Sequence, residues 1–323
     1  MTTRPEKKIA ILGFGRSGTT WVSDIVSKIS GGLVLFEPMF PNVMPDAVNY
    51  CYINDTESDK MKNLFLHLSN AMDGKIKKKW LLRNHLNRPI NEINDNFAEN
   101  IWSNCNIIGF KEIRANFLLK QLSNTWDFKT VFIIRNPNAV ISSLKNRPWF
   151  WKGDFGGLDN HYQMFVDRII KNPIYTKHFD HIDKLDFKKV EEPVRKQAII
   201  WAATHKIVLH ELCGTNIPLL FYEDLFMDPF EISKKLMKTL DYGDVKIHPS
   251  YIFTPSMVTL KTTHDLHNND DVLNGMDLSF FYENNLTNQE MEIIKEVNNI
   301  FSINVYTEKS VPIKDGLENI NII

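Results

Sequence analysis

Five apolar runs punctuate the chain, each closing on a glycine or a polar turn: Lys8–Leu12, Leu33–Phe36, Ile107–Phe110, Thr130–Ile134 and Ile217–Phe221. Their lengths and their β-branched and aromatic content predict buried strands. Between them, apolar positions recur at helical spacing over Thr19–Ser30, Asn116–Asn124, Asn138–Asn146, Val194–Leu212 and Pro229–Leu240, and once more near the end over Asn288–Phe301. Strands alternating with helices predict an α/β fold: a central parallel sheet with helices on both faces, three layers in all. In such sheets ligands collect at the carboxyl ends of the strands, so the residues just after each run are where chemistry is sought. Two stretches break the alternation. Residues 45–106 are polar and helical in character and contain "GKIKKKW" (Gly74–Trp80); residues 147–193 are rich in aromatics, with Trp149, Phe150, Trp151 and Phe155 close together. Both read as insertions over the active face of a single domain spanning 1–323.

Composition narrows the partners. A net charge of −1 gives no global attraction to nucleic acid or to an anionic membrane. Cys51, Cys105 and Cys213 lie far apart and form neither a metal-ligand spacing nor a disulfide framework, which favours a reducing, cytoplasmic location. No run has the length of a membrane span, and the opening "MTTRPEKKIAILGFG" reads as a first strand rather than a signal peptide.

The first strand runs into "GFGRSGTTW" (Gly13–Trp21) and then a helix. Glycine lets an anion approach a helix N-terminus, where backbone N–H groups converge. Gly13, Gly15 and Gly18 spell the G-x-G-x-x-G of dinucleotide sites, and Glu37 supplies an acidic residue at the end of the second run, as that motif requires. Against it, Thr19-Thr20-Trp21 is polar and bulky where the motif runs small and apolar. The NTPase loop G-x-x-x-x-G-K-[ST] is also close, but Thr19 stands where its lysine belongs, and the cation has moved to Arg16.

The stretch "GRSGTTW" resembles the loop of sulfotransferases that use 3′-phosphoadenosine 5′-phosphosulfate (PAPS). Two further segments carry the likeness. "TVFIIRNPNAVISSL" (Thr130–Leu144) ends a strand on Arg135 and sets Ser143 eight positions later; "FYEDLFMDP" (Phe221–Pro229) resembles a recurrent architectural segment, with Asp228 as the N-cap before Pro229. "ENNLTNQEMEIIKE" is similar to the closing helix. The resemblance implies a P-loop-like fold, PAPS as co-substrate and PAP as product, with no metal. It implies that Gly15, Arg16, Ser17, Gly18, Thr19 and Thr20 wrap the 5′-phosphosulfate, that Arg135 and Ser143 hold the 3′-phosphate, and that Trp21 stacks on adenine. Lys261, in the polar stretch that closes over the 3′-phosphate in that family, is a further basic residue to test. His264, His267, Asp270 and Asp271 in the same stretch read as solvated residues rather than a metal site.

The base is the point of departure within the family. Cytosolic members carry K-x-H after a central strand; here "GFKEIR" keeps Lys111 but puts Ile113 in the histidine's place. Carbohydrate sulfotransferases of the Golgi type instead place a glutamate about 20 residues after the loop arginine, and "LVLFEPMFP" puts Glu37 there. On this reading Glu37 is the general base, Arg16 neutralises charge on the transferring group, and Lys111 assists. Glu112 is a weaker carboxylate candidate, and Arg114 resembles a position on the acceptor side. The competing reading of Glu37 is a strand-end carboxylate paired with a nearby cation. The expected reaction is transfer of a sulfuryl group from PAPS to a hydroxyl of a saccharide or polysaccharide acceptor. The alternatives are an NAD(P)-dependent oxidoreductase and a non-catalytic nucleotide-binding protein. The run Lys75, Lys77, Lys78 and Lys79 reads as a solvated face that favours an anionic acceptor only if it borders the cleft.

Overall fold

The computed structural model describes residues 8–53, 57–85, 92–145, 156–253 and 282–323. Five parallel strands form one sheet in the order β2-β3-β1-β4-β5, with β1 Lys8–Gly13, β2 Leu33–Phe36, β3 Ile107–Glu112, β4 Phe128–Ile134 and β5 Leu219–Phe221. The apolar runs predicted as strands are strands, within a residue or two at their ends. β3 is buried at all six positions and β1 at five of six, as expected where a parallel sheet is covered on both faces. The backbones of β1 and β3 approach so closely at Gly109 that a Cβ there would lie 2.0 Å from the Ile9 carbonyl oxygen, so only glycine fits.

Connections between parallel strands are right-handed. The crossover β1→β2, through helix α1 (Thr19–Ser30), runs one way across the sheet, and β2→β3 and β3→β4 run back the other way. They therefore lie on opposite faces. α1 packs on β1, β2 and β3, while α2 (Ser58–Met72), in the β2→β3 connection, packs on β3 and sets Phe65 against Trp126 of the β3→β4 connection at 5.2 Å. This is the α/β three-layer arrangement. Residues 57–106 also carry two shorter helices, α3 (Lys78–Leu81) and α4 (Asp95–Asn104).

The helix predicted over Asn116–Asn124 is absent. A 3₁₀ turn, Asn116–Leu118, and a π turn, Gln121–Thr125, stand in its place. Asn116 turns its amide back onto the Ile113 carbonyl at 3.1 Å, a local bond that competes with the helix ladder, while Phe117, Leu118, Leu119 and Leu122 are all buried.

The chain divides into two compact units. The first comprises Met1–Ile133, Ile217–Gly275 and Ile322–Ile323, and the second Ile134–Asn216 and Met276–Asn321. In the first, Asp228 caps the helix Pro229–Thr239 by accepting from Glu231 N, as expected from sequence. In the second, the helix Pro193–Leu212 packs against Asn288–Ile300 and against α5 (Pro137–Lys145). Thr287 and Glu290 close a capping box at the start of Asn288–Ile300. Among the described residues no helix is long and apolar enough to cross a membrane, and none of the three cysteines forms a disulfide, Cys51 being buried and the other two exposed.

Candidate active site

Two strand exits at the carboxyl edge of the first unit carry most of the residues singled out above. Strand register sets them side by side: Leu12 of β1 pairs with Glu112 of β3, and Phe36 of β2 pairs with Lys111. Ile113 also lies beside the first loop, 3.6 Å from where a Cβ on Gly15 would be.

At the exit of β1 the chain makes a tight turn, with Ser17 N donating to the Phe14 carbonyl at 3.1 Å. Arg16 takes a left-handed φ of 71° and Gly18 a φ of 89°. Gly18 is the N-cap of α1 and, being glycine, supplies no side-chain cap to the helix's first N–H groups. A side chain at Gly18 would run into the Tyr222 ring, whose Cδ2 lies 2.3 Å from the ideal Cβ position. The Ser17 side chain is fully buried, and its hydroxyl has no hydrogen-bond partner among the described residues. A buried hydroxyl ordinarily has one. An anion seated on the N-terminus of α1 would supply that acceptor, so the loop fits a phosphate or sulfate group. Thr19 is buried and Thr20 half-buried. Trp21 donates from its indole N–H to the Ile252 carbonyl at 3.0 Å and meets the Tyr222 ring edge-on at 5.7 Å.

At the exit of β2 Glu37 sits in a buried cluster of charge. Its Oε1 accepts from Lys111 Nζ at 2.5 Å and its Oε2 from Arg114 at 2.9 Å. Burial alone would raise the Glu37 carboxyl, but Lys111 and Arg114 outweigh it and hold its pKa at about 2. Lys111 is pushed down by burial, with Glu37 acting against that shift. Glu112 is fully buried: its Oε2 accepts from Met39 N at 2.7 Å, and its Oε1 from Ile113 N at 2.9 Å and Arg114 N at 3.1 Å. Burial pushes the Glu112 carboxyl up, with Arg114 opposing and Glu37 adding to the rise. Glu112 thus ties the chain after β2 to the chain after β3, while Glu37 is the member that faces two cations. The cations also lie over aromatic faces. Lys111 Nζ is 3.9 Å from the centroid of Phe36, Arg114 is 5.0 Å from Phe40, and Arg83 is 4.6 Å from both Phe36 and Trp80.

The ring donors that bond the backbone at and around Glu37 come from the 57–85 stretch, and sequence reasoning did not find them. Glu37 has a φ of 40°, strained for a residue with a Cβ. Trp80 donates its indole N–H to the Glu37 carbonyl at 3.2 Å, His67 Nε2 meets the Pro38 carbonyl at 2.9 Å, and His85 Nε2 meets the Val34 carbonyl at 2.9 Å. A carbonyl only accepts, so each histidine carries its proton on Nε2. Burial keeps His85 below its ordinary pKa, in line with a neutral ring. Two ring N–H groups therefore brace the turn at Glu37–Pro38, and a third, from His85, holds strand β2 just before it. The only sequence signal was a set of ring donors in a polar stretch, which has no local meaning until the partner carbonyls are known.

Arg135 and Ser143 belong to the second unit. Arg135 directly follows β4 and is half-buried; Asn136, also buried, caps α5 by accepting from Asn138 N at 2.8 Å. Ser143 lies half-buried on α5. Lys261, the stretch Thr263–Gly275 with its histidines and aspartates, and the aromatics Trp149, Phe150, Trp151 and Phe155 lie outside the described residues. Among the described residues no three His, Cys, Asp or Glu side chains are grouped as a metal site.

The strand order bears on the dinucleotide reading. That fold sets β2 beside β1, so that the acid at the end of β2 reaches a ligand held by the first glycine turn. Here β3 stands between them, and both oxygens of Glu37 are occupied by cations. The G-x-G-x-x-G and Glu37 therefore do not form that site.

No protein-family model matches the chain, and no curated protein matches it. Among solved structures it is similar to the sulfotransferase domain of the olefin synthase of Synechococcus PCC 7002, at 14% identity and a TM-score of 0.42, over 94% of this chain and 96% of that one.

Proposed function

We propose that the chain is a PAPS-dependent sulfotransferase that transfers a sulfuryl group to an acceptor hydroxyl of a carbohydrate. The observation that carries this reading is the loop at the exit of β1, where a helix N-terminus with glycine as its cap and the buried Ser17 hydroxyl, without a partner among the described residues, stand beside Arg16. Its sequence, with Arg135 and Ser143, resembles the phosphosulfate and 3′-phosphate anchors of that family. PAPS supplies an activated sulfuryl group, whose bond to the phosphate oxygen breaks as one to the acceptor oxygen forms. On this reading Gly15–Thr20 hold the 5′ end, Arg16 stabilises charge growing on the leaving oxygen, and Arg135 with Ser143 hold the 3′-phosphate.

Glu37 takes the acceptor's proton. At neutral pH it is ionised, and with a pKa of about 2 it is a weak base while both cations hold it. It gains basicity by losing one. Lys111, on a flexible stem, is the partner suited to leave, and its charge then serves the departing phosphate. Exchange of this ion pair, rather than a permanently raised carboxylate, is how a clamped Glu37 would act as base.

Thermal-shift titration tests the nucleotide. We expect 3′,5′-ADP to raise the melting temperature and NAD(H) to leave it unchanged; the reverse result would end the sulfotransferase reading. Arg135→Ala should weaken 3′,5′-ADP far more than 5′-AMP. Glu37→Gln, assayed with labelled PAPS and a library of sugars, should bind 3′,5′-ADP but transfer at least a hundredfold more slowly than wild type.

A further inference from the structure

A cavity of about 530 Å³ opens between the turn Gly74–Trp80 and α4, walled by Asn42, Lys75, Lys77, Lys78, Lys79 and Trp80. Its volume is in the range of small-ligand sites. Its position links it to Glu37, because the Trp80 that forms part of its wall donates its indole N–H to the Glu37 carbonyl at 3.2 Å. A molecule in the cavity would therefore touch the same residue, Trp80, that bonds the backbone of the residue proposed as base.

The cavity is cationic in an unequal way. Lys75 pairs with Asp73 at 2.8 Å, Lys79 with Asp95 at 2.9 Å, and Lys78 with Glu99. The Lys77 side chain, exposed, has no ion-pair partner among the described residues. Three carboxylates against four lysines leave one positive charge. Asp95 and Glu99 also line the cavity, but their side chains are 91% and 57% exposed, so they can swing into water when another anion arrives. Ion pairs this exposed hold little free energy and are readily exchanged. Lys77 also adopts a left-handed φ of 36°, with no glycine to relieve it. Such strain on a non-glycine residue is more often kept where the side chain has a task.

We infer that this cavity is a subsite for an anionic substituent of the acceptor, a sulfate ester or a carboxylate on a saccharide unit next to the one that reacts. The inference rests on the sulfotransferase reading for its account of what reacts, but the binding site itself does not depend on it. Lys77 is the first contact of the anion, with Lys75, Lys78 and Lys79 exchanging their carboxylate partners for it. The acceptor is thus a charged saccharide, and the cavity reads that charge beside Trp80, which bonds the Glu37 backbone.

The test is calorimetric titration at low salt, with saturating 3′,5′-ADP to occupy the loop at β1. Sucrose octasulfate and trigalacturonate are the sulfate and carboxylate probes, sucrose the neutral control and poly-glutamate the acidic peptide. Wild type should bind at least one anionic sugar, more weakly as salt rises, and should not bind sucrose. Lys77→Glu should weaken that sugar at least tenfold and leave the affinity for 3′,5′-ADP within twofold. Lys77→Gln adds no new charge, should weaken the sugar about threefold, and guards against misfolding of the reversal. Equal binding to wild type and both variants overturns the inference, as does failure of wild type to bind either anionic sugar. Poly-glutamate binding as tightly as the sugars would overturn the saccharide class. If 3′,5′-ADP binds no form of the protein while Lys77-dependent sugar binding persists, the sulfotransferase reading falls and the anion site stands.

Discussion

The exits of β1 and β2 lie at the same edge of the sheet and are built on opposite plans. The β1 exit carries few charges and leaves polar capacity unused: a helix end with glycine as its cap and a buried Ser17 hydroxyl with no partner among the described residues. The β2 exit is crowded with charge and internally satisfied, with Glu37 held by Lys111 and Arg114, and Glu112 accepting three backbone N–H groups. An incomplete site gains on binding because the ligand supplies what is missing. A satisfied cluster acts only by trading a partner, and each trade costs what the pair was worth. The first is prepared to bind and the second to switch.

Breaking the satisfied side should cost most. Lys111→Met leaves Glu37 buried with a single cation, and loss of one partner of a buried pair costs about 3–5 kcal/mol; chemical denaturation should show it. Lys111→Met/Glu37→Gln should recover part of that loss, since the uncompensated charge is gone. A cost for the single variant below about 1 kcal/mol would mean that water reaches the cluster.

The same cluster predicts a pH dependence. Glu37 has a folded pKa of about 2 against an ordinary 4.5. A depressed carboxyl adds stability that is complete above about pH 4.5 and is lost as pH falls towards 2. Glu112, pushed up by burial, works in the opposite sense. The difference between the stability curves of wild type and Glu37→Gln carries the first effect together with the part of the Glu112 shift that Glu37 causes: the gap should narrow below pH 4.5. A constant gap would contradict the clamped carboxylate.

At the β1 exit the expected effects are smaller. Gly18→Ala meets both a left-handed backbone and the Tyr222 ring, and should cost about 2 kcal/mol. Adding Tyr222→Ala should return the steric part and not the backbone part. Ser17→Ala sharpens the contrast best. It removes a buried hydroxyl that has no partner, so stability should hold or rise by up to about 1 kcal/mol, while 3′,5′-ADP binding weakens about tenfold. If Ser17→Ala destabilises the protein instead, the hydroxyl already has a partner and the loop is less open than described.

The two exits also differ in how far they were legible in sequence. The loop Gly13–Thr20 obeys local rules, since glycine and hydroxyl residues between a strand and a helix mean much the same wherever they occur. The strands, Asp228 as a cap and the helix Pro193–Leu212 were legible for the same reason. The cluster was not, because Glu37 and Lys111 lie 74 positions apart and meet only through strand pairing. Lys111, Glu112 and Arg114 were each noticed singly, but nothing local joined them to Glu37. Strand order was equally hidden, and with the cations on Glu37 it separates the G-x-G-x-x-G here from a dinucleotide turn. The Asn116–Asn124 stretch had helical spacing, yet the side chain of Asn116 and the burial of four neighbours produced two short turns instead.

The bracing of the backbone at and around Glu37 by Trp80, His67 and His85 bears on how such a protein can be changed. The stretch 57–85 carries the lysine-walled cavity and also supplies the ring donors that aim the glutamate. On the proposed function, acceptor choice and alignment of the base would be inherited as one cassette. A chimera that imported a different stretch to alter specificity would lose its catalytic aim unless it also brought three donors to the same carbonyls. On that reading, specificity would be easier to retune at single lysines than to transplant.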